Sequence, residues 1–129
     1  MLLNQASSTT MTSLLDAASC ANTAAATSGS GKWLDVRAYD GEILVVQQNG
    51  AINGATLIGK LQSATDVDGA GAADITGAVF ATVTAANSTK TLVVDPKKVV
   101  GGFLGYVGTI SVATPVIISV TAGGKKKYV

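Results

Sequence analysis

The chain has no histidine, and among its 129 residues there are only one cysteine, one tryptophan and two prolines. Without histidine, the commonest general base and metal-ligating side chain is missing. Ser-His-Asp and Cys-His catalysis are thereby excluded, as is most zinc chemistry. The lone thiol, Cys20, cannot close an internal disulfide, and it fits assembly in a reducing cytosol. Charge is scarce too. Charged residues make up 13% of the chain, about half the usual ~25%. The net charge of +1 does not describe a nucleic-acid binder, which shows a basic patch interleaved with aromatics. The opening MLLNQASSTTMTSLLDAASC has no basic start and no long apolar run, so no signal peptide is expected. No stretch approaches the ~18 apolar residues of a membrane span.

What is present is apolar and small. Hydrophobic residues make up 47% of the chain. A soluble monomer normally covers itself with more charge than this, so part of the surface is expected to be covered by other subunits. The length fits one domain, which at this size hides roughly two-thirds of its unfolded surface.

From Lys32 onward the chain reads as strands separated by turns. KWLDVRAY alternates. Asp40-Gly41 marks a turn before EILVVQQ, which is either alternating or buried on both faces. NGAINGA supplies two Asn-Gly pairs suited to left-handed backbone. TLIGKLQSAT places Leu57, Gly59 and Leu61 on one face. Gly77 in ADITGAVFATV predicts a bulge or break. TLVVD is a short strand closed by PKK. GFLGYVGTI sets Phe103, Gly105, Val107 and Thr109 against Leu104, Tyr106, Gly108 and Ile110. Pro115 stands at the start of the β-branched run VIISVTAG. Upstream, ASSTTMTS and CANTAAATSGSGK read as small-residue linkers around LLDAAS, which is either a short helix or a first strand, the strand being preferred for its β context.

That makes about seven to eight short antiparallel strands with turn signals every ~8–12 residues, and no helical periodicity of useful length. The expectation is all-β: a single-domain jelly-roll or β-sandwich over residues 31–129, with a flexible, small-residue-rich N-terminal arm over 1–30.

Candidate sites are few. DVDGAGAADITG (66–77) looks like a calcium loop, but the only glutamate in the chain is Glu42, and alanines occupy would-be ligand positions. Asp66, Asp68 and Asp74 remain as a site outside the EF-hand pattern, weighed against solvated turn residues. As a phosphate cradle the stretch puts Asp74 where a pyrophosphate must approach. SGSGKW ends like a phosphate loop, yet Trp33 follows Gly31-Lys32 where Ser or Thr belongs. Asp35, Asp40 and Glu42 do not form a plausible pair across a cleft. Trp33 and Tyr39 are the aromatics that would stack a sugar ring. The reading is no enzyme, no catalytic or metal residues and no cofactor. The densest charge is the C-terminal GGKKKYV. A Gly-Gly hinge would there carry Lys125, Lys126, Lys127, Tyr128 and Val129 to an acidic neighbour, a phosphate or an adjacent subunit, or the lysines would simply blunt a sheet edge.

The segments Asp40–Ala51, Leu61–Ser63, Asp66–Gly71, Ala73–Phe80, Val83–Asn87, Leu92–Val94 and Tyr106–Ile110, with the lysine-bearing tail, resemble the head decoration or cement proteins of tailed phages. The resemblance covers about residues 30–129. Ala73 departs from it where an aromatic often stands, and FLGY (103–106) replaces a Y-x-R-Y pattern. The resemblance implies a jelly roll on the capsid exterior, assembled in the host cytoplasm, with neither a membrane nor nucleic acid as partner. It implies the major capsid protein as partner and self-association as a homotrimer. The alternatives from the residues are a tail or head-fibre component, or a carbohydrate-binding sandwich.

Overall fold

The computed structural model describes residues 9–21, 25–52 and 54–126. Among them are nine strands: β1 (Thr9–Cys20), β2 (Ala26–Thr27), β3 (Leu34–Asp35), β4 (Tyr39–Asn49), β5 (Leu57–Ala64), β6 (Ala73–Val79), β7 (Thr89–Val94), β8 (Phe103–Ile110) and β9 (Val116–Lys126). A 3-10 turn at Pro96–Lys98 is the one helical element among the described residues. The Asp95 side chain caps it by accepting from the Lys97 backbone N–H.

The strands form two antiparallel sheets. Sheet one runs β1-β9-β4-β7. Sheet two runs β2-β8-β5-β6, with β3 also on β8. Since β2 and β3 act as one interrupted strand, each sheet has four strand positions. Apart from the β5–β6 hairpin, every link between these positions crosses from one sheet to the other. That winding is a jelly roll, a sandwich of two Greek keys.

Alternation decides which side chains meet between the sheets. On β4, Ile43, Val45, Gln47 and Asn49 are buried while Glu42, Leu44 and Gln48 are exposed. β9 contributes Val116, Ile118, Val120 and Ala122, and sheet two answers with Leu57, Leu61, Leu104, Tyr106 and Ile110. Phe80 meets Tyr106 edge-on at 6.0 Å between centroids. At the centre of this core the Tyr106 hydroxyl donates to Gln47 Oε1, a side-chain bond from one sheet to the other. Gly59 and Gly108, directly paired across β5 and β8, leave the room for it. A methyl on Gly59 would land on Gln47 Oε1 and on the Tyr106 ring, and one on Gly108 would land on the Tyr106 hydroxyl.

The fold departs from the sequence reading in four places. The linker ASSTTMTS contributes residues 9–13 to β1, a 12-residue strand whose Leu14 is fully buried. Residues 9–20 therefore belong to sheet one. KWLDVRAY is not one strand, because the Asp35 carboxylate accepts from the Arg37 backbone N–H and folds the chain into a turn after β3. Asp40-Gly41 is no turn between strands. It sits inside β4 at a register shift between Asp40 and Leu44, with Gly41 at φ 84°. Gly123-Gly124 is no hinge either. Both glycines lie within β9, held between β1 and β4.

Candidate interaction surface

Of the acidic residues singled out in the sequence, Asp35, Asp66, Asp68 and Asp74 are each occupied locally. In the 66–71 turn, Asp66 Oδ1 accepts from the backbone N–H groups of Asp68 and Ala70 at 2.9 and 3.0 Å. Asp68 accepts from the Ser30 hydroxyl at 2.6 Å. Asp74 takes the Gln62 amide at 2.8 Å and the Lys60 ammonium at 2.9 Å. These bonds hold its carboxyl below the usual range, the Gln62 bond most of all. The three aspartates do not converge, and no cluster of three metal-ligating side chains occurs among the described residues. Asp35 is held low by its bidentate pairing with Arg37, and Asp16 by Ser13 and then Lys32. All three ion pairs are exposed, so each contributes little to stability.

The stretch 66–77 is a structural clasp. Val67 O accepts from the backbone N–H groups of Gly31 and Trp33. The Trp33 ring fills the space over Gly69 and Gly105, where side chains would collide with it, and its indole N–H donates to Ser28 O at 3.2 Å. Trp33 and Tyr39 are 5% and 4% exposed. Neither offers a ring to stack a sugar, which removes the platform that reading required.

Cys20 is buried, and its thiol donates to Gly108 O at 3.2 Å. Burial pushes the pKa of the Cys20 thiol up, and burial pushes the Tyr106 hydroxyl up still further, with a smaller contribution from Cys20. Neither group is disposed to lose its proton at neutral pH.

The expected contact residues divide. Lys125 is exposed near the end of β9, paired in register with Thr9 and Asp40. The Lys126 backbone pairs with Tyr39. Lys127, Tyr128 and Val129 lie outside the described residues.

The feature that stands out is the outward face of sheet one. Its residues fall into rows set by the register. One row is Met11, Gly123, Leu44 and Val93. The next is Ser13, Thr121, Val46 and Thr91, and a third is Ser119, Gln48 and Thr89. Ile117 stands beyond them. None is charged. Met11, Leu44, Val93 and Ile117 are each 42–54% exposed. The outward face of sheet two is mixed: Lys60, Gln62 and Asp74 form a polar cluster, Ile58 and Val79 are exposed beside it, Arg37 lies 5.0 Å over the Phe103 ring, and Trp33 packs over Gly105. The two ends of the sandwich also differ. The described parts of the connections 50–56, 80–88 and 111–115 contain no charged residue. Asp35, Arg37, Asp40, Asp66, Asp68, Asp95, Lys97, Lys98 and Lys125 gather at the other end. The sequence signal for the neutral face was EILVVQQ, where Leu44 and Val46 are apolar on the opposite parity to Ile43 and Val45.

No protein-family model matches the chain, and no curated protein matches it. No helix among the described residues is long and apolar enough to cross a membrane.

Proposed function

We propose that this chain is a structural assembly protein that docks on a protein shell, as a capsid cement or decoration protein does. The observation that carries the reading is the uncharged patch on the outward face of β1-β9-β4-β7, from the Met11–Val93 row to Ile117 and flanked by the exposed Asp16 and Glu42, continuous with a charge-free end of the sandwich. Loss of charge is what marks the buried centre of a protein interface. Four strands at ~4.8 Å spacing and three two-residue steps along β9 give a face of about 19 by 20 Å, or roughly 400 Å². A stable interface needs about 800 Å² per partner. One copy therefore binds weakly by this face alone. Copies arrayed by shell symmetry, or joined as the trimer that the phage resemblance implies, bind with high avidity.

The partner in this reading is the major capsid protein, on the capsid exterior. Purified protein mixed with undecorated heads is expected to give saturable occupancy at symmetry-related positions. Heads that remain bare, with the protein recovered free, contradict the reading. A tail or head-fibre location makes the same use of a neutral face, and labelling within particles separates the two.

A further inference from the structure

We infer that residues 95–101 form a strap that opens on its own and is the chain's processing site for a lysine-directed endoprotease, cut within Lys97-Lys98-Val99.

The strap carries the chain from β7 in sheet one to β8 in sheet two, and it pairs with no strand among the described residues. Its ends are fixed. At one, the Asp95 carboxylate accepts from the Lys97 backbone N–H. At the other, the Gly101 N–H donates to Ser63 Oγ at 2.8 Å, and the Gly101 backbone lies so close to Ala64 that a side chain there would collide with it. Between the ends, Val99 is the one buried side chain. Three turn bonds hold the backbone: Lys98 to Asp95 O, Val99 to Pro96 O and Gly102 to Val99 O. Val100 is 93% exposed, the most of any large apolar side chain among the described residues. Grooves of about 630, 590 and 420 Å³ border the strap, the first along Pro96 and Lys97 and the others along Lys98. Opening therefore breaks few contacts, and a segment so held opens well below the free energy of global unfolding.

The lysines select the class of enzyme. Native chains are nicked where exposed segments open locally, and a trypsin-like protease also takes a free cationic side chain into its acidic pocket. Lys97 and Lys98 are exposed and join none of the ion pairs among the described residues. The other described cations are held. Lys32 pairs with Asp16, Arg37 with Asp35 and Lys60 with Asp74. Lys90 stands inside the β4–β7 ladder, and Lys125 and Lys126 are in register with β4. The step is hydrolysis: water gives its hydroxyl to the lysine carbonyl carbon and its proton to the next nitrogen, and no co-reactant is needed. The two fragments then stay together, because β8 keeps its ladder with β5 from Leu57↔Ile110 to Ala64↔Phe103, and β9 keeps its pairs with β1 and β4.

The test is limited digestion of the native full chain with trypsin, read by intact mass and size exclusion. The first cut upstream of Gly124 is expected after Lys97 or Lys98, with both fragments eluting as one folded particle. Lys97→Gln/Lys98→Gln should melt as wild type yet lose that cut, its internal cleavage slowed at least about tenfold because the remaining sites wait for global unfolding. Hydrogen exchange reads the opening without protease: the Lys98, Val99 and Gly102 amides should exchange ahead of those paired in β8 and β9. A first internal cut at Lys32, Arg37, Lys60 or Lys90 overturns the inference. So does a double variant cleaved as fast as wild type, a pair of fragments that separate on cutting, or strap amides as protected as those of β8.

Discussion

Gly59 and Gly108 face one another across β5 and β8 because a hydroxyl and an amide occupy the space that side chains would fill. Gly59→Ala should destabilise the fold by about 1–3 kcal/mol through overpacking, measured by denaturant unfolding. Tyr106→Phe should cost a similar ~1–3 kcal/mol, because Gln47, 1% exposed, loses the donor to its Oε1 while its Nε2 already lacks a partner. Pairing Tyr106→Phe with Gln47→Met removes both polar partners. The double variant should lose less than the sum of the single losses. The pH dependence follows from the same buried groups. Burial raises the Cys20 and Tyr106 pKa values in the folded chain. The unfolded chain therefore releases these protons first, and the stability they contribute is complete below the unfolded values and lost as pH rises. With no histidine to titrate, the melting temperature should be flat from about pH 5 to 8. It should fall above about pH 8.5, where a free thiol ionises. In Cys20→Ala the fall should begin nearer the tyrosine range, about pH 10. An unchanged onset in that variant would contradict the assignment to the thiol.

At the scale of elements, β1 binds the N-terminal stretch into the sandwich. Leu14→Ala should cost about 2–5 kcal/mol, whereas removing residues 1–20 should abolish cooperative unfolding, because β9 loses its neighbour. A truncated chain that melts cooperatively at the wild-type temperature would show that β1 is dispensable. The legibility of the sequence follows the same division. β5, β8 and β9 were readable because their faces alternate or their β-branched runs are bounded by turn residues, as with Pro115 before Val116. The bulge at Gly77 was readable because only glycine tolerates φ 80° easily. The first half of β1 was hidden because Thr9, Thr10, Thr12 and Ser13 are small and polar, and its strand state comes from pairing with β9 rather than from local preference. The Asp40-Gly41 bulge misread as a turn for a related reason. Asp-Gly suits both, and only pairing with β9 on the far side distinguishes them. The neutral face was half legible. EILVVQQ shows two apolar faces, but which one meets the core depends on the partner sheet.

At the scale of the whole molecule, the charge distribution is the property that a single strand cannot reveal. Charges separated by up to 90 residues in sequence, such as Asp35 and Lys125, come to one end of the sandwich. The opposite end and a patch of one sheet face are left neutral. This arrangement explains how a chain with 13% charged residues can present both a hydrated end and a surface for burial. Leu44 lies in the most apolar row of that surface, 42% exposed and between Gly123 and Val93 in register. Leu44→Glu should leave the fold within about 0.5 kcal/mol of wild type, since the side chain lies outside the core. Its effect should appear in assembly. The most direct measurement is occupancy of undecorated heads by the Leu44→Glu protein beside wild type, at matched concentration and with melting curves for both. The account predicts saturable binding by wild type and loss of most occupancy by a variant that melts normally. Equal saturation by the two proteins would contradict it.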